Sequence, residues 1–336
     1  IIENNLIRVE INHTTGALES IIWKGRELVD KSKNLGVNRY LYVPGKDPSF
    51  AQSLGNVKVS VKEEGEILTS LFVEADAPGC SGYTSEIRLY RDIERIDIIN
   101  TIVKNGVREK ESVHFAFPFN VPEGDMHYDV AYGIVRPEKD QLPGSCKNFV
   151  SVQSFLNISN NEYGVTWITQ DAPLVEIGEI NAEKPWMKSI QPSECIYSYV
   201  MNNYWHTNYK ADQDGKVIFR YSIYPHDSLG LEKSARFAIA KLQPLICLPA
   251  SVTISNNPFL NFKFNRNIIT PIKPIENEDA LLFQLYNPSL NNQNFYLSVD
   301  KSPNLIMRLS NAFEEKLEII KTSIDLPPFC TRFVRI

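Results

Sequence analysis

Lys216-Val217-Ile218-Phe219-Arg220-Tyr221-Ser222-Ile223-Tyr224 is the stretch on which the fold turns. Val217, Phe219, Tyr221 and Ile223 form one apolar stripe with a period of two, the repeat of a strand whose alternate side chains face a core. β-branched and aromatic residues suit that pleated surface, and Asp214-Gly215 ahead of the run is the ordinary sequence of a tight hairpin turn. The same alternation spreads in both directions. Val57, Val59 and Val61 alternate with Lys58, Ser60 and Lys62; Ile67, Thr69, Leu71 and Val73 share a face; Val165 and Trp167 flank Thr166. Leu281, Phe283 and Leu285, then Phe295, Leu297 and Val299, then Leu305, Met307 and Leu309 continue it toward the C-terminus. Turn formers separate these runs at Thr15-Gly16, Asn105-Gly106, Asn287-Pro288 and Pro327-Pro328. Helical spacing shows at Phe313, Leu317 and Ile320, but segment 311–321 also reads as a turn and a strand, the reading preferred in so β-rich a chain. The chain is expected to be all-β.

Its 336 residues are about twice a typical domain. With 43% hydrophobic and 22% charged residues the composition is globular, which excludes a disordered or fibrous chain. Two prolines in segment 241–250, followed by shorter strands and Asn-rich stretches, place a boundary near 244–249. The expected organisation is a large sandwich at 1–243 and a small immunoglobulin-sized one at 244–336. The 35 basic and 40 acidic residues leave a net charge of −5 with no basic block, so nucleic acid is not an expected partner. No apolar run approaches the roughly 18 residues of a membrane span. Five Cys, at 80, 146, 195, 247 and 330, include no Cys-x-x-Cys pair, so no zinc knuckle or disulfide framework is indicated. The start at Ile1, without Met, reads as an excised piece of a longer protein.

Chemistry-bearing motifs are few. No Gly-x-Gly, Gly-x-Ser-x-Gly or Walker pattern occurs, and none of His13, His114, His127, His206 and His226 stands at metal-ligand spacing from another. Asp212-Gln213-Asp214-Gly215 lacks the distal Glu of a calcium loop and reads as a turn. Asp92, Glu94 and Asp97 alternate with Arg91 and Arg95, as on a solvated strand face with cross-strand ion pairs. The densest stretch is Met201-Asn202-Asn203-Tyr204-Trp205-His206-Thr207-Asn208-Tyr209-Lys210. Rings and amides in that mixture suit a sugar: Tyr204 or Trp205 offers a flat apolar wall, and Asn203, His206 and Asn208 can bond hydroxyls. The alternative is an aromatic strand with Asn at its ends. A second candidate is the polar segment 132–145, too long for a tight turn, which carries Arg136 and Asp140.

The same residues carry a family resemblance. Glu3-Asn4-Asn5-Leu6-Ile7-Arg8-Val9-Glu10, Thr14-Thr15-Gly16-Ala17-Leu18 and Gly25-Arg26-Glu27-Leu28-Val29 resemble the start of the C-terminal β region of glycoside hydrolase family 38 α-mannosidases. Segment 202–210 with Phe219-Arg220-Tyr221-Ser222-Ile223, then Leu285-Tyr286-Asn287-Pro288-Ser289 and the closing Asp325-Leu326-Pro327-Pro328, continue it in order along nearly the whole chain. The resemblance implies a galactose-mutarotase-like supersandwich followed by a smaller Ig-like β-sandwich. It also implies that the zinc ion and the catalytic Asp belong to an N-terminal domain absent from this chain, so no catalytic or metal residue is carried over. The segment between Pro173 and Cys195 departs from the family pattern, where a charged stretch approaches the substrate. The expected function is therefore a non-catalytic region of a retaining α-mannosidase-like enzyme, inactive alone, supporting the catalytic domain and contributing to the rim that binds mannosides. A free-standing carbohydrate-binding module, or a mutarotase-like isomerase using a His/Glu pair, are the alternatives.

Overall fold

The computed structural model describes residues 1–336 except 182, 192, 205–209, 229, 248, 250–260, 264–267, 299–305 and 321–322. Strands dominate it, and the described residues include one α-helix, Leu231–Leu242. The chain divides into two compact units, one of residues 1–128 with 135–229 and one of residues 129–134 with 230–336.

The first unit is a sandwich. One sheet has the order Val150–Ser151, Leu174–Ile177, Cys195–Asn202, Glu111–Pro118, Arg39–Pro44. The facing sheet runs from Asp125–Val130 through Phe155–Ser159, Tyr163–Thr169, Gly215–Asp227, Ile96–Lys104, Cys80–Tyr90 and Leu68–Asp76 to Gly55–Glu64. The stripe that opened the sequence reading lies at the middle of this second sheet, paired with Ile96–Lys104 on one side and Tyr163–Thr169 on the other. Its Phe219, Tyr221 and Ile223 are buried. Rings from both sheets interdigitate: Phe115 meets Phe219 and Tyr221, and Phe117 meets Trp167 and Tyr221 edge-on with centroids 5.2 and 5.0 Å apart. Between the layers Asn38 and Asn100 exchange amide hydrogen bonds, which satisfies two polar groups in an otherwise apolar core. A small sheet of Ile2–Glu3, Ile7–Ile11, Leu18–Trp23 and Arg26–Glu27 completes the unit.

The second unit has a sheet of Ile268–Pro274, Leu281–Tyr286, Thr331–Arg335, Met307–Ser310 and Lys316–Ile320, and a shorter one of Asn261–Lys263, Gln293–Ser298 and Ile324–Leu326. Phe283, Leu285, Phe295, Ile324, Leu326 and Val334 form its core. The Asn287 amide donates to the carbonyls of Asn291, Leu326 and Pro327, tying the Asn-Pro turn to the strand end beside it. Segment 311–321 forms a turn on the Asn311 side chain and then the strand Lys316–Ile320, as preferred.

Two expectations are corrected. Helix Leu231–Leu242 was not anticipated: Leu231 is the one large apolar residue of its buried face, and the rest, Glu232, Ser234, Ala235 and Ala238, is small or polar, so its helical spacing is carried mainly by alanine. Asp97 is not on a solvated face. It is buried between neighbouring strands, accepts from Ser222 Oγ at 2.6 Å and pairs with Arg95.

Candidate functional site

Strand Glu111–Pro118 sits between Arg39–Pro44 and Cys195–Asn202, with a register irregularity at Val113/His114. Val113, Phe115 and Phe117 are apolar and fully buried, and between them the strand carries Ser112 and His114, also fully buried. His114 stacks on Tyr199 at 5.0 Å, nearly parallel. Its Nδ1 lies 2.9 Å from Glu176 Oε2, and its Nε2 lies 2.8 Å from Ser112 Oγ, which in turn is 2.9 Å from the Tyr204 hydroxyl. The hydroxyls can run in one direction, Tyr204 donating to Ser112 and Ser112 to Nε2, while the Nδ1–Glu176 approach is a close polar contact without hydrogen-bond alignment. Burial pushes the Tyr204 phenol up to about 12, against the opposing effect of its bond with Ser112, so it is a donor at neutral pH. The chain of groups thus holds the Tyr204 hydroxyl in one orientation from beneath.

Next to it is a second buried polar set. Lys104 Nζ is 2.7 Å from Glu111 Oε1, with the two side chains 0% and 1% exposed. Tyr42 donates to the other Glu111 oxygen at 2.8 Å. Asn203 is buried as well; its amide donates to the carbonyls of Val107 and Glu109, and its backbone N–H to that of Glu111. Its described contacts are therefore those of a clamp on the turn before strand Glu111–Pro118.

Two long connections meet this sheet at its Ile177/Cys195 end, and the second reaches back toward Glu176 through Asn181 and toward Lys46 through Glu183. In the first, Asp140 accepts from the backbone N–H, Nε and Nη2 of Arg136, each at 2.9 Å, closing the segment on itself. The Arg136 side-chain bonds hold the Asp140 carboxyl down at about 2. Burial pushes nearby His127 below its ordinary value and Arg136 adds to the effect, while Asp125 opposes it. Glu138 accepts from Lys147 Nζ at 2.9 Å and from the Ile190 N–H. Burial raises that carboxyl, and the two bonds more than offset it. The second connection, 178–194, joins the neighbouring strands Leu174–Ile177 and Cys195–Asn202. Asn181 N–H donates to Glu176 Oε1 at 2.7 Å, which links this loop to the His114 network. Asn148, buried, donates to the carbonyls of Asn181, Lys184 and Pro185 and accepts from Met187 N–H.

Of the residues singled out in the sequence, Asn203 and Tyr204 lie together in the buried network, and Arg136 and Asp140 form their own clasp on the 136–149 segment. Trp205, His206 and Asn208 lie outside the described residues. The sequence reading did not find Ser112, Glu176, Lys104 and Glu111, nor a role for His114. They come from three strands, Ile96–Lys104, Glu111–Pro118 and Leu174–Ile177, with no fixed spacing between them, and the one local sign is the polar residues Ser112 and His114 two apart in an otherwise apolar strand. Among the described residues no three His, Cys, Asp or Glu side chains are grouped so as to hold a metal ion. No described helix is long and apolar enough to cross a membrane. The sequon asparagine at 157 is buried and bonded to Thr166 and His226, which closes it to modification in the folded state.

Comparison with solved structures returns an alpha-mannosidase from Enterococcus faecalis V583 at TM-score 0.76 and 16% identity, covering 100% of this chain and 42% of that one. A protein in the glycosyl hydrolase family 38 from Enterococcus faecalis gives the same score and identity over 43% of its length. The chain therefore spans less than half of these proteins. A galactose mutarotase related enzyme from Lactobacillus acidophilus aligns at TM-score 0.41 and 12% identity over 67% of this chain and 96% of that one. No curated protein sequence matches the chain. The family model described as the glycosyl hydrolases family 38 C-terminal domain matches residues 2–173. Half of the chain answers to that one model, and the chain belongs to glycosyl hydrolase family 38 through its C-terminal β domain.

Proposed function

We propose that this chain is the non-catalytic β region of an α-mannosidase-like retaining glycoside hydrolase, supporting a catalytic domain and forming part of the rim that binds mannosides. The observation that carries the reading is the construction on one sheet of the large sandwich. A fully buried polar network underlies two long, side-chain-fastened connections, which is how a fixed rim is built from a rigid sheet. In this reading the catalytic carboxylate and the zinc such enzymes use belong to the catalytic domain. The isomerase alternative draws on the His114–Glu176 pair. That pair is 0% exposed on both side chains and already engaged with Ser112 and Asn181, so it is placed to brace the loops and not to meet a sugar.

The test is an assay of the purified 336-residue chain with 4-nitrophenyl α-mannoside, with and without added zinc, beside calorimetric titration with methyl α-mannoside. Weak mannoside binding without hydrolysis is expected. Zinc-dependent turnover by this chain sinks the non-catalytic assignment, and absence of any mannoside binding sinks the rim.

A further inference from the structure

The connection 178–194 is long for a link between adjacent antiparallel strands, and loops of this length that stay ordered usually have a task beyond joining them. Its described residues are ordered by side chains dedicated to it. Asn148 uses both ends of its amide on the loop backbone, Glu176 takes Asn181 N–H, and Glu138 takes Ile190 N–H while Ile190 itself is buried. Between these anchors, one residue before the Met187 N–H that Asn148 holds, Trp186 stands 64% exposed. Trp23 and Trp167, by contrast, are 1% and 0% exposed. A large apolar ring kept in water by a loop fixed from below costs hydration free energy that nothing in the fold recovers.

We propose that Trp186 is a stacking platform for a pyranose ring, the site at which this region grips its carbohydrate. The proposal rests on the rim reading above and names the residue and the chemistry of contact. A pyranose has an apolar C–H face that matches an indole, and hydroxyls at its edge that need donors and acceptors. Glu183, paired with Lys46 at 3.0 Å, and Lys184, paired with Glu179 at 2.6 Å, stand on the same loop and supply both. Pro185, exposed, and Met187, half-buried, extend the apolar surface by one residue on each side of the ring, and Lys184, Lys188 and Ser189 bound it, so the patch is three residues long. That size fits one sugar face and falls far short of the roughly 800 Å² per partner of a stable protein interface. Because the loop is already ordered, a ligand gains the contact without the cost of immobilising it.

The experiment follows the indole N–H signals of the 336-residue chain by heteronuclear NMR during titration with methyl α-mannoside, then repeats the titration on Trp186→Ala and Trp186→Phe. Expected are a saturable shift of the Trp186 signal, a roughly five- to tenfold weaker affinity for the alanine variant, and partial retention by phenylalanine, all at unchanged melting temperature. If the wild-type chain binds mannoside and Trp186→Ala binds it equally well, the platform is overturned while the rim reading stands. If the wild-type chain binds no mannoside at tens of millimolar, both fail. If Trp186→Ala weakens association with a family 38 catalytic domain but leaves sugar affinity intact, the ring is a domain contact and the proposal is wrong.

Discussion

Lys104–Glu111 and Arg136–Asp140 are ion pairs of nearly equal length, 2.7 and 2.9 Å, in two regions that use charge for opposite ends. The first is sealed inside the sandwich, where water has been stripped from both ions and Tyr42 and the Asn105 carbonyl complete the coordination. The second lies in a connection with side chains 44% and 33% exposed, closes a loop on itself and keeps most of its solvent. The lesson is that separation does not rank two ion pairs. Desolvation makes the buried pair indispensable once present, because either ion alone is stranded, whereas solvent screens the surface pair and leaves it a local shape-keeper.

The strongest break of this comparison is Lys104→Met. It leaves the Glu111 carboxylate buried with only neutral donors, and a loss of about 3–5 kcal/mol is expected in urea unfolding. Adding Glu111→Leu should return much of that loss, since an apolar replacement removes the stranded charge. If the single variant proves as stable as the parent, the interior pair is weaker than its burial implies. Asn203→Ala comes next. It orphans the Val107 and Glu109 carbonyls but no charge, so about 1–3 kcal/mol is expected from the same measurement. The smallest effect belongs to Asp140→Asn. The carboxyl titrates lower in the folded chain than its ordinary value of 3.8, at about 2, chiefly because of the Arg136 side-chain bonds. Its contribution is therefore present above pH 3.8 and fades as pH falls through about 2, and the variant should flatten that acid limb. At neutral pH the melting temperature should move by no more than about 2 °C. A fall as large as that of Lys104→Met would erase the distinction between the two regions.

How much of this was legible beforehand depends on whether a signal is local. The stripe at Phe219, Tyr221 and Ile223 was, because period-two alternation is imposed by the pleat itself and appears in any strand with one face toward a core. So was the turn and strand of segment 311–321, through Asn311. Helix Leu231–Leu242 was not: apart from Leu231 its inward face is Glu232, Ser234, Ala235 and Ala238, so its helical repeat rests on small side chains and is faint in the sequence. Asp97 was misjudged because a carboxylate two residues from an arginine looks the same in sequence on a solvated edge as in a buried bond with Ser222. At the site, the ring-and-amide density of segment 202–210 drew attention to the right sheet. Yet Asn203 is spent on backbone carbonyls, and the ring exposed on a fixed loop is Trp186, which sits in no distinctive motif.

By itself, then, the sequence determined the class of structure and the family: alternating apolar residues and turn formers require paired strands, and family-like segments recur in order along the chain. Tertiary structure alone decided which polar residues meet. Ser112 and His114 share one strand, but Glu176 and Tyr204 come from elsewhere in the chain, up to 92 positions away at the Ser112–Tyr204 contact, and no spacing rule links them to that strand. The physical reason is that sheet pairing sets neighbours across strands, through register and the irregularity at Val113/His114, while sequence spacing sets neighbours only along one. Whether a tryptophan is enclosed or exposed is likewise decided by the fold: Trp167 is enclosed between two sheets, and Trp186 stands exposed between the Pro185 carbonyl and the Met187 N–H that Asn148 binds.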